Sequence, residues 1–446
     1  MKKLLFNFGK YPVIEAEETT FVFQNQLNDL VTGEPVFIAR GSGLCYGDSA
    51  LSQTTISTLK YDKILSFDTQ QGIFECQSGI TLEQVLTVIV PKGWFLPVTP
   101  GTKLITIGGA VASNVHGKNH KTHGSFSRHI VEMDVLLASD GLLTCSHDTY
   151  PDLFEATCGG MGLTGVITRV KFRLKKIETS FIRQKQIKAK NFDELISLFE
   201  EYRDSTYIVV WIDCLKKGKH FGRSILTVAE HAILDDLNDE HRKNPLQLPG
   251  NKKLTVPPIM PWWVINTFSV KAFNFLFYAK NYAKEISKVI LYDPFFYTLD
   301  AINHWNRIYG NKGFVQYQFV LPLEATDGLA EILRSISDKG MGSFLTVLKV
   351  LGKQESMISF AREGYTLAID FPIRKGVFEF LNELDEILLK HGGRIYLTKD
   401  ARMKPEMLKN YPELEKFKSI IKKYDPEGKI RSIQSDRLQL TPISNE

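Results

Sequence analysis

At 446 residues the chain is long enough for two or three structural units rather than one core. Its 43% hydrophobic and 24% charged residues suit a water-soluble globular protein, and a net charge of +5 is too small to argue for nucleic acid. Five scattered cysteines (Cys45, Cys76, Cys145, Cys158, Cys214) without a CxxC pair argue against a disulfide framework and a zinc site, and fit a reducing compartment.

The N-terminal stretch MKKLLFNFGK has no sustained apolar run, so no signal peptide is expected. A helix is predicted from Thr19 to Leu30, feeding a strand from Pro35 to Arg40. The first glycine cluster follows, ARGSGLCYGD over Ala39–Asp48. After a strand at Ile73–Gln77 and a helix from Thr81 comes the second, PGTKLITIGGAVASNVHGK over Pro100–Lys118. Gly101, Gly108, Gly109, Ala110, Ala112, Ser113 and Gly117 leave backbone there that a bulky group can lie against. A hairpin at Ile130–Ala138 and Leu142–Cys145 turns around Ser139-Asp140-Gly141. A short helix, Pro151–Thr157, precedes the third cluster, GGMGLTG over Gly159–Gly165. The strand Val166–Leu174 then alternates apolar and basic residues, and the first unit ends near 178.

Any one of these clusters alone reads equally as an ordinary glycine-rich loop. Three of them at the ends of strands and helices make a nest of N–H groups suited to an anionic cofactor. There is no Walker loop, and GSGLCYG lacks the third glycine of a Rossmann fingerprint. A dinucleotide is implied, held in another manner.

The second unit opens with a helix at Asn191–Arg203, started by Asn191 with Glu194, and a strand at Tyr207–Leu215. Two further strand-then-helix units are expected, Phe314–Val320 with Asp327–Lys339 and Tyr365–Phe371 with Val377–His391. This predicts an α+β unit, an antiparallel sheet covered by helices on one side. The segment of about 216–290 reads as an irregular loop. Its basic runs (Lys216, Lys217, Lys219, Arg223; Arg242, Lys243; Lys252, Lys253) suit a solvated face or, alternatively, an anionic membrane or phosphate. Leu254–Val270 is uncharged but short for a membrane span and broken by Pro257, Pro258 and Pro261. Trp262-Trp263 and Phe268, Phe273, Phe275, Phe277 and Tyr278 fit either a membrane–water interface or a core. Gly392-Gly393 ends the last helix of this unit, and a strand at Arg394–Thr398 delivers Tyr396 and Lys399.

The motifs ARGSGLCYGD, PGTKLITIGGAVASNVHGKNH, GSFSRHI, FEATCGGMGLTGVI, FVQYQFVLP, SFLTVLKVLG, AIDFPI and GRIYLTKDAR occur in the order found in FAD-linked oxidases of the vanillyl-alcohol oxidase type. The chain resembles that family nearly end to end. The resemblance implies a PCMH-type two-lobed FAD-binding domain built from residues 1–178 and 394–446, around a substrate cap at 179–393. It implies that FAD contacts Ala39, Arg40, Gly41, Ser42, Gly43, Leu44, Cys45, Tyr46, Gly47, Asp48 and Ser49 in the first loop. In the second it implies Gly101, Thr106, Ile107, Gly108, Gly109, Ser113, Asn114, Val115, His116 and Gly117, with Gly162, Ile167, Tyr396 and Lys399 completing the site. Asp48 reads equally as a cap of its turn.

Histidyl-flavin relatives carry the bonded histidine where this chain has Leu44, and Cys45 is not in the linking position, so FAD is expected to be non-covalent. Lys399 is the leading catalytic residue, with Tyr46 and His116 as alternatives for proton handling. The substrate is expected against Lys118, Tyr297, Gln316, Gln318, Lys349, Ala368 and Lys399. Gln316 and Gln318 lie two apart on a strand and share a face. Lys349, in an otherwise apolar strand, requires a phosphate or a carboxylate. Some relatives have cysteine in place of Ala368, which changes the pocket wall and not the reaction.

The implied activity is oxidation of the 2′-hydroxyl of a polyprenyl-phosphoryl-β-D-ribose to the 2′-keto sugar, the first half of epimerisation to the arabinose form. It brings a quinone or oxygen as electron acceptor and a short-chain keto-reductase as partner enzyme. The expected location is cytoplasmic or peripheral at the inner-membrane face, with no metal. A soluble sugar, alditol or aldonolactone oxidase of the same fold is the alternative; an inactive flavoprotein-like membrane or partner-binding module is the second.

Overall fold

The computed structural model describes residues 2–250, 254–258, 260–261, 264–354 and 356–441. Two small sheets build the first unit. In one, Thr54–Ser57 runs parallel to Ile14–Thr20 on one side and Ile38–Arg40 on the other, with Lys2–Leu5 antiparallel at the edge. The other is antiparallel, in the order Ile64–Asp68, Ile73–Gln77, Val166–Arg173, Ile130–Leu136, Leu142–Cys145. Helix Leu82–Ile89 is fixed by a reciprocal cap: the Gln84 N–H donates to the Thr81 hydroxyl and the Thr81 N–H to the Gln84 side-chain oxygen. Its Leu82, Val85, Leu86 and Ile89 are buried, an apolar stripe at helical spacing.

The helix expected over Thr19–Leu30 begins only at Gln24 and runs to Gly33. Residues 17–20 are strand, because their register with Thr54–Ser57 and the β-branched Thr19 and Thr20 favour extended backbone.

Eight strands form the second unit's sheet, all antiparallel, in the order Glu285–Leu291, Phe181–Ala189, Ser224–His231, Tyr207–Ile212, Thr346–Leu351, Gly364–Pro372, Phe314–Pro322, Arg394–Ile395. Two of these strands, and helix Thr267–Lys280, come from the segment expected to be an irregular loop. Ser224–His231 escaped a period-two reading because it is buried on both faces over Ser224–Ala229. The helix escaped a 3.6-residue reading because its aromatics surround it rather than forming one stripe. Lys252-Lys253 and Trp262-Trp263 lie outside the described residues.

Helices Phe192–Glu201, Thr326–Lys339 and Val377–Lys390 cover one face of this sheet, burying Leu195 and Phe199; Leu329, Ile332, Leu333 and Ile336; and Phe380, Leu381, Leu384 and Leu388. The Tyr317 hydroxyl reaches into that layer and donates to Asp385 at 3.0 Å. The opposite face is turned to the first unit. There the Ile208 N–H donates to the Lys118 carbonyl at 2.9 Å and the Gly352 N–H to His120 Nδ1 at 3.0 Å, tying the end of the second glycine stretch to the sheet.

The last strand is shorter than expected. Arg394–Ile395 stays in the large sheet, beyond the expected boundary at 393, and Leu397–Lys399 is a 3₁₀ turn. The chain then returns to the first unit, where the Phe37 N–H donates to the Lys429 carbonyl and the Ile433 N–H to Leu51. Among the described residues no helix is long and apolar enough to cross a membrane.

Candidate active site

Side chains directly opposite one another in neighbouring strands share a face. Gln316 lies opposite Asp370, Gln318 and Val347 opposite Ala368, Lys349 opposite Thr366, and Trp211 opposite Val347. The large sheet therefore presents one polar face, away from its helices and toward the glycine loops. Four of the residues expected at the substrate, Gln316, Gln318, Lys349 and Ala368, stand on it together.

The first glycine loop and the Lys399 turn are joined. The Tyr46 N–H donates to the Thr398 carbonyl at 3.0 Å, and Lys399 Nζ sits 3.5 Å from the centre of the Tyr46 ring. Gly47 must be glycine, since a Cβ would lie 1.6 Å from the Asp400 carbonyl oxygen. His116 is brought to the same place from the second loop. It is 6% exposed, lies beside the stacked rings of Tyr396 and Phe360, and its Nε2 is 3.0 Å from the Gln318 amide nitrogen. An amide nitrogen only donates, so Nε2 is the acceptor and Nδ1 carries the proton. Tyr396 is held by its hydroxyl, which donates to the Ser113 carbonyl at 2.7 Å.

The electrostatics are unusual for so small a region. Burial alone brings Lys349 down to about 8, and no hydrogen bond or ion pair reaches it among the described residues. Burial, with Lys349 adding to it, brings Lys118 to about 7. Lys118 Nζ donates to the Phe295 carbonyl and lies 4.1 Å from the Phe295 ring centre. Burial also brings Lys399 to about 7, opposed by Asp370 and reinforced by Lys349. The same burial, then Lys349, His120 and Lys399, holds His116 well below the usual imidazole range. Asp370, fully buried, is the carboxylate of this face. It accepts from Gln316 Nε2 at 2.6 Å and from the Tyr309 hydroxyl at 2.9 Å, and burial lifts it to about 6 against those bonds and Lys399.

The glycine loops fit a dinucleotide. The N–H groups of Ser42, Gly43 and Leu44 have no partner among the described residues, a row of donors of the kind that holds a pyrophosphate. Gly41 and Gly109 both lie against the Thr106 hydroxyl, which caps helix Ile107–Ala112 by accepting from the Gly109 N–H at 3.2 Å. Gly101 borders open space. A small cleft runs past Ser113, Asn114, His116, Gly159, Met161 and Tyr396.

Several expected contacts lie elsewhere. The Arg40 guanidinium is engaged by Asn7, the Phe6 and Ala50 carbonyls and Glu18, so it holds the loop's base and not the ligand. Asp48, 1% exposed, takes a two-pronged bond from Arg437 at 2.8 and 3.1 Å, and is neither a free cap nor a cofactor ligand. Cys45 and Ser49 interact with each other beneath the loop, and burial pushes the Cys45 thiol up. The Ser42 hydroxyl donates to Leu104, and Ala39 belongs to strand Ile38–Arg40. Asn114 accepts from the Ser127 N–H. Ile107, Val115 and Ile167 are core side chains, while Gly117 packs on Thr99 and Gly162 turns the chain with φ +80° near Ile38. Tyr297 has no exposed surface and bonds Thr99 at 2.7 Å, so it joins the two units and does not line a pocket. Sequence reasoning missed Asp370, Thr366 and Trp211. Asp370 carried the signal that exposed Lys349, a charge in an apolar strand two residues from an expected wall residue.

Residues 33–146 match the FAD binding domain family. Over 412 residues, 90% of this chain and 89% of the relative, the sequence is 35% identical to decaprenylphosphoryl-β-D-ribose oxidase of Mycolicibacterium smegmatis. A putative D-arabinono-1,4-lactone oxidase of Neurospora crassa is 34% identical over 113 residues, 25% of this chain and 20% of its own. The solved structure of BBE-like 1 from Physcomitrella patens covers 93% of this chain and 89% of its own with a TM-score of 0.65 at 12% identity, a likeness of fold. FAD is the cofactor and the protein is an FAD-dependent oxidoreductase. By sequence over nine-tenths of its length, the chain belongs to the decaprenylphosphoryl-β-D-ribose oxidase family of FAD-linked oxidoreductases.

Proposed function

We propose that this enzyme oxidises the 2′-hydroxyl of a polyprenyl-phosphoryl-β-D-ribose to the 2′-keto sugar. One observation carries the reading: Lys349 is a half-buried ammonium without an anion, on a face that also holds Gln318 and is flanked by Lys118 and Lys399. An unpaired buried charge is costly, and a sugar phosphate supplies its partner. The relative's substrate, by its name, is a phosphoryl-ribose on a polyprenyl chain.

Bound FAD would supply the hydride acceptor for the carbinol carbon. Lys349 and Lys118 hold the phosphate. The Gln318 amide donates to His116, which leaves its oxygen to accept from a ribose hydroxyl. Lys399, near 7, is neutral often enough at physiological pH to accept the hydroxyl proton at Nζ. His116 stays neutral and fixes Gln318. Ser42, Gly43 and Leu44 hold the pyrophosphate, and Leu44 offers no atom for a covalent flavin link. In this reading FAD is bound by the segments before about 178 and after about 396, with the sheet between them as the cap. A short-chain keto-reductase consumes the product, quinone or oxygen reoxidises the flavin, and the protein meets the membrane from its surface.

The test is flavin absorbance under anaerobic conditions, with polyprenyl-phosphoryl ribose, free pentoses, alditols and aldonolactones as parallel additions. Bleaching by the lipid-linked sugar alone is expected. Bleaching by a free sugar or lactone, and not by the phosphorylated lipid, would refute the proposal.

A further inference from the structure

We infer that helix Thr267–Lys280 is a docking element for an anionic membrane surface. Its sequence is TFSVKAFNFLFYAK, and only Val270 and Asn274 are buried. Phe268 is 82% exposed, Phe275 59% and Leu276 66%, and beyond the helix Tyr282 is 88% exposed. A cluster of large apolar side chains in water marks a surface made to be covered. Charge selects the cover. From Thr267 to Lys284 the chain carries Lys271, Lys280 and Lys284 and no acidic residue. Aromatic and leucine side chains beside lysines, without carboxylates, are the chemistry of an interfacial helix on anionic lipid.

The helix is anchored so that this cover bears on the active site. The Asn274 side chain donates to Asp213 at 2.8 Å, and Phe277 packs on Trp211 with ring centres 4.7 Å apart. Trp211 lies opposite Val347, and Val347 opposite Ala368, so the helix sits over the same sheet face that holds Lys349 and Gln318. Docking through Phe268, Phe275 and Leu276 brings that face to the lipid surface, with Trp211 and Phe277 as an apolar path for a prenyl tail. The path rests on the proposed lipid-linked substrate; the docking does not.

The test is co-sedimentation of the full-length holoenzyme with phosphatidylcholine vesicles, with and without phosphatidylglycerol, and no substrate. Binding to the phosphatidylglycerol vesicles, weakened by salt, is expected. It falls by about tenfold or more when Phe268, Phe275 and Leu276 are changed together to serine. It falls by roughly fivefold for each of Lys271→Gln and Lys280→Gln. Flavin absorbance and reduction by a short-chain, water-soluble prenyl-phosphoryl ribose stay unchanged in all variants, separating lost docking from lost folding. Wild-type protein that ignores both vesicle types, or a serine variant that binds as wild type does, overturns the inference. So does a vesicle-free dimer that the serine variant abolishes, which would make the occupant a second copy. Vesicle binding by a protein whose flavin no prenyl-phosphoryl sugar reduces would uphold the docking and remove the substrate reading.

Discussion

Arg437 clamps the first glycine loop to the turn that carries Lys399, and its removal has a calculable cost. Its guanidinium bridges Asp48 at 2.8 Å and Asp400 at 2.8 Å, both carboxylate side chains 2% exposed. Asp48 follows Tyr46 and Gly47 in the first glycine loop, and Asp400 follows Lys399. Arg437→Met keeps the stem and leaves two buried carboxylates facing each other without a cation. Breaking a buried pair this way costs about 3–5 kcal/mol. At about 2 cal/mol/K of unfolding entropy per residue, a chain of 446 residues melting as one unit loses roughly 0.9 kcal/mol per degree. The expected fall in Tm is therefore about 3–5 °C, and roughly twice that where the first unit melts alone.

The pH dependence has a definite sign. Burial already raises Asp48 above the usual carboxylate range even with Arg437 bonded to it. Without the arginine it rises further, and a carboxyl raised in the folded state destabilises above its folded pKa and is relieved as pH falls through it. The Tm gap between wild type and variant should thus narrow from about pH 8 to about pH 5. Adding Asp48→Asn to the variant should recover part of the loss at the higher pH. Calorimetry gives the Tm values, and the fluorescence of released FAD reports loosening of the loop. A shift under about 1 °C that is indifferent to pH, with FAD retained as in wild type, would refute the reasoning.

Three further outcomes are expected. Lys399→Met should retain FAD but slow anaerobic flavin reduction by about 10²–10⁴-fold, and should abolish the rise in rate as pH climbs through about 7, where Lys399 loses its proton; a limb that persists in stopped-flow measurements would take the base role away from Lys399. Lys349→Gln should raise KM for the phosphorylated substrate by about 10–100-fold with little change in kcat. In wild type the same KM should rise as pH passes about 8, where Lys349 loses its charge; steady-state KM against pH checks both. Acid precipitation should leave all the FAD in the supernatant, because Leu44 offers no atom to bond; yellow pelleted protein would show a link elsewhere.

What was legible in the sequence was local. The helix start at Thr81, the Asn191 cap, the Ser139-Asp140-Gly141 hairpin and helix Pro151–Thr157 all depend on residues within a turn of one another, and the structure has each of them. The shared face of Gln316 and Gln318 follows from strand period. Lys349 was legible because a charge in an apolar strand demands an explanation, and Asp370 posed the same question unasked. The Arg437–Asp48 pair joins residues 389 apart in the chain, and no local pattern encodes it. Arg40 was assigned to the cofactor by its place in a motif, whereas its partners come from Asn7, Phe6 and Glu18 in the N-terminal strands and loops. The strand Ser224–His231 and helix Thr267–Lys280 lacked the periodicity by which such elements are recognised, the one buried on both sides and the other apolar all round.

Period two in the large sheet has an evolutionary corollary. Tyr317, Leu367 and Ile369 belong to the helix-covered layer, while their chain neighbours Gln316, Gln318, Thr366, Ala368 and Asp370 belong to the other. Residues proposed to meet the substrate are thus interleaved with residues that keep the enzyme folded, and point to the opposite side. A thiol in place of the methyl at 368 alters the wall proposed to meet the substrate and leaves the hydrophobic layer behind it as it was. Single substitutions on the polar side of the sheet therefore need no compensating change on the other.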